Sequence, residues 1–228
     1  MEVGLPESIH QLIEQQIERL SLEDQRVLEM ASAAGTEFSA AAVAAALGDE
    51  IGVVETRCAG LARHGQFVRA TGTSEWPDGT IAARYGFLHA LYREVMYERV
   101  TAGRRVQWHY RIGEREEQAY GERASEIAAE LAVHFERGRD YRRAVQYLEQ
   151  AAARASQRLV YVEAIRHLTK GLGLLKTLPD TPERARQELT LQIALGAPLQ
   201  LTKGYASPKV EATYTRAREL CQQVGETP

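Results

Sequence analysis

Apolar residues at Ile9, Leu12, Ile13, Ile17 and Leu20 recur at helical spacing, with Pro6 suited to a first turn, and predict an opening helix with one inward face. Ser21 with Asp24 three residues on resembles a capping box. It opens a second helix through Val27, Leu28 and Ala31, which Gly35 is placed to end in a left-handed conformation. Ser39 caps a short Ala-rich helix ending near Gly48. A fourth helix, roughly Glu50 to Arg63, is expected to bury Val53, Val54, Cys58 and Leu61 before His64-Gly65 stops it. The period then changes: residues 66–70 alternate like a strand, Trp76-Pro77-Asp78-Gly79 reads as a turn, and Thr80 to Phe87 returns as a second strand. Helices followed by a hairpin is the order of a winged helix, so residues 1–100 are expected to form a winged-helix-like module.

From Leu88 the pattern is helical almost to the end. Leu88, Leu91, Val95 and Met96 form one stripe, and Val106, Trp108, Tyr110 and Ile112 fall in a connecting helix over residues 101–121. Tyr141-x-x-Ala144-x-x-x-Leu148 then recurs as Tyr161-x-x-Ala164-x-x-x-Leu168, an offset of 20 residues (164 minus 144). That length fits one helix plus a short turn, so residues 122–228 are expected to stack as an antiparallel TPR-like α-solenoid. Ala144 and Ala164 should face neighbouring helices and Leu148 and Leu168 fill the seams, with Arg143 and Arg166 outward. Residues 137–140 and 177–180 supply turns, and two further helices follow near Pro182–Leu201 and Pro208–Val224. No polar capping helix is evident, and both ends read as fragment boundaries.

Composition agrees with a mainly α protein: 44% hydrophobic and 26% charged residues against 7% aromatic. Cys58 and Cys221 lie far apart without CxxC spacing, and no apolar run approaches the ~18 residues that span a bilayer, so a reducing cytoplasm and no membrane are expected. The net charge of −3 conceals an asymmetry. In residues 1–100, 8 arginines face 15 carboxylates, net −7; from Thr101 on, 20 cations face 16 carboxylates, net +4. DNA binding by the helix at 50–63, whose cations are only Arg57 and Arg63, is therefore disfavoured, because phosphate neutralisation supplies most non-specific affinity.

The segments LPESIHQLIEQQIERLSLEDQRVLEMASAAGTEFS, RYGFLHALYREVMYERVTAGRRVQWHYRIGERE and YVEAIRHLTKGLGLLKTLPDTPERARQELTLQIALGAPLQLTKGY carry a resemblance over nearly the whole chain. It resembles the region behind the ATPase core of large bacterial STAND-type proteins, predicted ATPases fused to adenylate or guanylate cyclase, protein-kinase or LuxR-type regulator domains. The resemblance implies a winged helix that packs on an upstream nucleotide-binding domain, then TPR-like repeats that sense a protein or small-molecule effector. No Gly-x-x-x-x-Gly-Lys-[Ser/Thr] occurs, so ATP or ADP belongs to the parent and this chain is expected to be non-catalytic. His89 sits where the family's Met-His-Asp motif contacts bound nucleotide, although its neighbours, Leu88 and Ala90, depart from the motif.

Against that nucleotide-sensing role, His89 reads more simply as a residue capping a helix start or filling a partly buried seam. Arg104, Arg105, His109 and Arg111, interleaved with Trp108 and Tyr110, form a basic cluster that binds phosphate or single strands in some proteins, or is the solvated face of a helix with an aromatic inner side. Gly171-x-Gly173 follows a helix and lacks a third glycine, so it is no dinucleotide site. His134 and His167 are read as lacking acidic partners at metal-ligand spacing. The alternative function is a transcriptional regulator whose winged helix binds DNA directly, with the repeats as its sensor.

Overall fold

The computed structural model describes residues 7–225; the expectations for Pro6 and the residues before it lie outside them. The chain is mainly helical with one small antiparallel sheet, and divides into two units, up to Ala124 and from Ser125.

In the first unit, α1 (Glu7–Glu18) buries Ile13 and Ile17, but Ile9 and Leu12 are exposed. The inward face is narrower than the spacing predicts because α1 packs chiefly against α5 (Ala90–Arg99). Helix α2 (Leu22–Ala34) starts as expected: the Ser21 hydroxyl accepts from the Asp24 N–H at 3.1 Å and donates to its carboxylate at 2.7 Å. Gly35 has φ 146° and ψ −169°, an extended conformation with positive φ instead of the expected left-handed one. A Cβ there would lie 3.1 Å from the Glu37 carbonyl, so glycine lets the chain run straight from α2 into β1 (Glu37–Ser39). That strand is too short for periodicity to signal it.

Helix α3 (Ala40–Leu47) is buried on nearly every side and packs against α2, α4 (Ile51–Arg63), α6 (Ala102–Tyr120) and β3 (Ile81–Phe87). A helix apolar all round must be enclosed, and alanines let four elements approach one thin rod. On α4, Val54, Cys58 and Leu61 share the inward face; Val53, a quarter-turn away, is exposed. Strand β2 covers Val68–Glu75, longer and later than residues 66–70, and the sheet order is β1-β3-β2, with Phe38 opposite Tyr85 and a bulge between Ala70 and Gly72. Leu88 is exposed ahead of α5, and α6, expected as a connector, contributes Trp108, Ile112 and Ala119 to this unit's core.

The β2–β3 turn is fastened to α6. Arg115 lies 2.9 Å from the Asp78 carboxylate, donates to the Thr80 hydroxyl at 2.7 Å and stacks over Trp76 at 4.7 Å. The Thr80 backbone N–H and Arg115 hold the Asp78 carboxyl below the usual carboxylate range.

The second unit contains α7 (Ala128–Arg137), α8 (Tyr141–Gln157), α9 (Tyr161–Leu175), α10 (Pro182–Lys203) and α11 (Pro208–Val224), each packed on its sequence neighbours. Three residues separate α7 from α8 and three separate α8 from α9, so each helix doubles back on the last. Both turns use one design. Asp140 N–H donates to Phe135 O and Val160 N–H to Ala155 O, each at 2.8 Å, while Arg139 (φ 62°) and Leu159 (φ 61°) take the left-handed conformation. The offset is again 20 residues (159 minus 139). Gly138, though available, stays right-handed at φ −75°.

Ala144, Leu148, Ala164 and Leu168 are all buried, in line with the repeat register. Arg143 is not free-standing as expected: its guanidinium lies over Phe135 at 5.0 Å and 3.4 Å from the Asp140 carboxylate. Gly171 marks a close crossing, where an added Cβ would lie 3.1 Å from Leu191 Cδ1 and 3.8 Å from Leu148 Cβ. Arg216 joins α11 to α10 through both oxygens of Glu188, at 2.7 and 3.1 Å.

Ala144→Phe and Ala164→Phe should each lower stability by ~1–3 kcal/mol or more through overpacking, whereas exposed Arg166→Phe should change it little. Thermal melts decide this. Equal losses at all three positions would show the repeat register to be wrong.

Candidate functional site

The basic cluster on α6 is dispersed by the fold. Arg104 is exposed, but Arg105 donates to Val100 O at 2.8 Å and lies over Tyr97 at 4.8 Å. His109 is 1% exposed and its Nε2 is 3.0 Å from the Tyr97 hydroxyl, so it belongs to the core and not to a surface cluster. Trp108 occupies the inner face beside it, and a hydrogen-bonding partner for His109 is what permits that burial. Arg111 donates to Ala46 O at 2.9 Å and Arg26 to Leu47 O at 3.2 Å. Both serve the carbonyls that end α3, where cations are favoured.

His89 stands at the N-cap of α5, exposed and without a side-chain capping bond. Its ring meets Tyr92 edge-on at 5.5 Å, and Tyr92 meets Phe67 at 5.0 Å. Phe67 is buried with φ 60°, a conformation costly for an aromatic residue, and its carbonyl accepts from the Leu88 N–H at 2.8 Å. The strained residue thus anchors the segment that presents His89. On α4, Arg57 is engaged by Asp24 at 3.2 Å.

Of the repeat residues, Tyr141 and Tyr161 are half-buried and Ala144, Leu148, Ala164 and Leu168 lie inside the stack, where they hold helices together. Open surface in the second unit includes two adjoining hollows beside α8. A cleft of about 240 Å³ is bounded by the first turn of α7, the last turns of α8 and the start of α9, and a neighbouring hollow of about 360 Å³ runs along α8. Ser125, Arg154 and Arg158 line both. The hollow adds Gln150 and Gln157, and the cleft adds Glu163 and His167.

Sequence reasoning passed over these positions. Gln150, Arg154 and Arg158 recur every four residues, but polar helix positions at that spacing read as an ordinary solvated face. His167 does have an acidic partner one turn away, contrary to expectation, with its Nε2 3.6 Å from Glu163 Oε1; Glu130 likewise precedes His134 by four. Among the described residues no three ligand-type side chains group as a metal site. Burial, then Arg166, lowers the His167 pKa, and burial, then Arg137, pushes His134 down to about 4. Burial raises the Cys58 thiol to about 12, so it is no nucleophile at neutral pH.

Among the described residues no helix is long and apolar enough to cross a membrane. Comparison of the chain with protein-family models, with curated proteins and with solved structures finds no match.

His134 generates a pH dependence. Its folded pKa lies below the unfolded value of 6.5, so the neutral imidazole contributes stability that is complete above pH 6.5 and lost as pH falls toward 4. The loss attributable to this residue should reach roughly 3 kcal/mol at pH 4, at 1.36 kcal/mol per pKa unit. Urea midpoints for the wild type and His134→Gln should therefore converge between pH 6.5 and 4. Parallel curves would remove His134 as the source.

Proposed function

We propose that the chain is a non-catalytic regulatory and protein-interaction region of a STAND-type signal-transduction ATPase. In this reading residues 1–100 form a winged-helix-like module that couples to an upstream nucleotide-binding domain, and residues 122–228 form a TPR-like array that senses a partner. The observation that carries it is the 20-residue unit, repeated in side chains from Tyr141 to Tyr161 and in backbone turns from Arg139 to Leu159. A stack built this way keeps one surface of successive helices open to a ligand. In the first unit, the helices preceding the β2–β3 hairpin and the exposed His89 support the winged-helix assignment, with ATP or ADP a ligand of the parent.

Duplex DNA is the partner this reading disfavours. Residues 1–100 carry net −7, and Arg57, central on α4, is engaged by Asp24. Fluorescence anisotropy with duplex DNA at low salt should show no sub-micromolar binding, and the coding frame upstream of Met1 should contain a P-loop. Tight DNA binding with a steep salt slope would establish the direct transcription-factor alternative instead. An upstream stop codon would remove the ATPase coupling.

A further inference from the structure

In the second unit Arg143, Arg166, Arg184 and Arg216 each meet a carboxylate, whereas among the described residues Arg154 and Arg158 make no ion pair. Both open onto the cleft and the hollow along α8. The two acids nearby, Glu126 and Glu163, line only the cleft, and Glu163 already meets Arg166 at 3.4 Å and His167 at 3.6 Å. No carboxylate lines the hollow. Its remaining polar side chains, Gln150, Gln157 and Ser125, offer both donors and acceptors.

The geometry points to this surface as the docking site of an acidic peptide segment, bound extended along α8 with alternate carboxylates on Arg154 and Arg158. Four residues along a helix advance ~6 Å. Two residues along an extended chain advance ~6.6 Å and return the side chain to the same face. A Glu-x-Glu or Asp-x-Asp sequence therefore places successive carboxylates over successive guanidiniums, where charge-assisted bonds form. Gln150 and Gln157 flank the arginines on the same helix and suit the amide groups of a peptide backbone. Phosphates of a single strand would match the charge, but no Phe, Tyr or Trp lines either opening to stack a base, and the one imidazole, His167, is buried and turned to Glu163, which favours peptide.

This assignment rests on residues 122–228 being a partner-binding array, while the duplex titration and upstream frame test the DNA-binding alternative and the ATPase coupling independently of it. Failure of acidic-peptide binding alone thus overturns the ligand class and not the array. The test is fluorescence anisotropy on the full chain, at low salt, with a short labelled Glu-x-Glu peptide and its Gln-x-Gln and Lys-x-Lys counterparts. The Glu peptide should bind roughly tenfold or more tightly than the Gln peptide, and Arg154→Glu/Arg158→Glu should abolish that margin and confer binding of the Lys peptide. Lys209→Glu/Arg218→Glu, which makes the same charge change at exposed positions on α11, should leave Glu-peptide binding unchanged. Unchanged helical circular dichroism and melting temperature verify that both variants fold. Equal weakening by the two double variants, or equal affinity for the Glu and Gln peptides, would overturn the proposal. Oligothymidylate binding as tightly, with the same dependence on Arg154 and Arg158, would overturn it in favour of nucleic acid.

Discussion

The second unit depends on how little chain is available to reverse direction. Gly138 to Asp140 and Arg158 to Val160 are connections of three residues, and so short a link turns an antiparallel helix only by placing its middle residue in the left-handed region. Reversal at that distance holds the next helix against the last. Side chains at the crossing must then be small, which accounts for buried Ala144 and Ala164 and for Gly171 between Leu148 and Leu191. The 20-residue offset is the sum of a helix of fixed length and this turn. The left-handed strain at Arg139 and Leu159 is offset by Phe135, Leu168 and their neighbours, buried when the helices close.

The first unit meets a different constraint, the enclosure of α3. Surrounding a short Ala-rich helix on all sides leaves its final carbonyls without helical partners, and Arg26 and Arg111 reach in from α2 and α6 to satisfy them. Charges that look available for an anionic ligand are spent inside the unit in this way. Arg115 is similar: its contacts with Trp76, Asp78 and Thr80 fix the hairpin tip to α6. His109 carries the point furthest, a titratable residue held in the core with the Tyr97 hydroxyl as a partner.

Much of this architecture was legible in the sequence, because the period of apolar positions locates α1 through α6, α8 through α11 and the turn at Trp76–Gly79 within a few residues, while α7 is covered only by a general helical pattern. The repeat from Tyr141 to Leu168 gives the helix length and the small-residue register. Strand β1 escapes such reading, since three residues have no period and Phe38 alone is inward. The left-handed turns escape because neither Arg139 nor Leu159 is glycine, and the nearby Gly138 misdirects. The open surface beside α8 was illegible for another reason: Arg154 and Arg158 stand out from other solvated arginines by lining a shared hollow without a carboxylate, and that placement belongs to the folded molecule.

What the two units share is that conformation, more than composition, decides which charges remain available for partners. In the second unit that availability follows from the stacking of α7, α8 and α9, and hence from the repeated turn. Stability measurements on Arg139→Gly, Leu159→Gly and the double variant test that turn most directly. Both positions are exposed and left-handed, so each glycine should stabilise by about 0.5–1 kcal/mol, with strain relief exceeding the added unfolded-state entropy, and the two gains should add. Destabilisation at either position, or effects of opposite sign, would contradict a turn used twice.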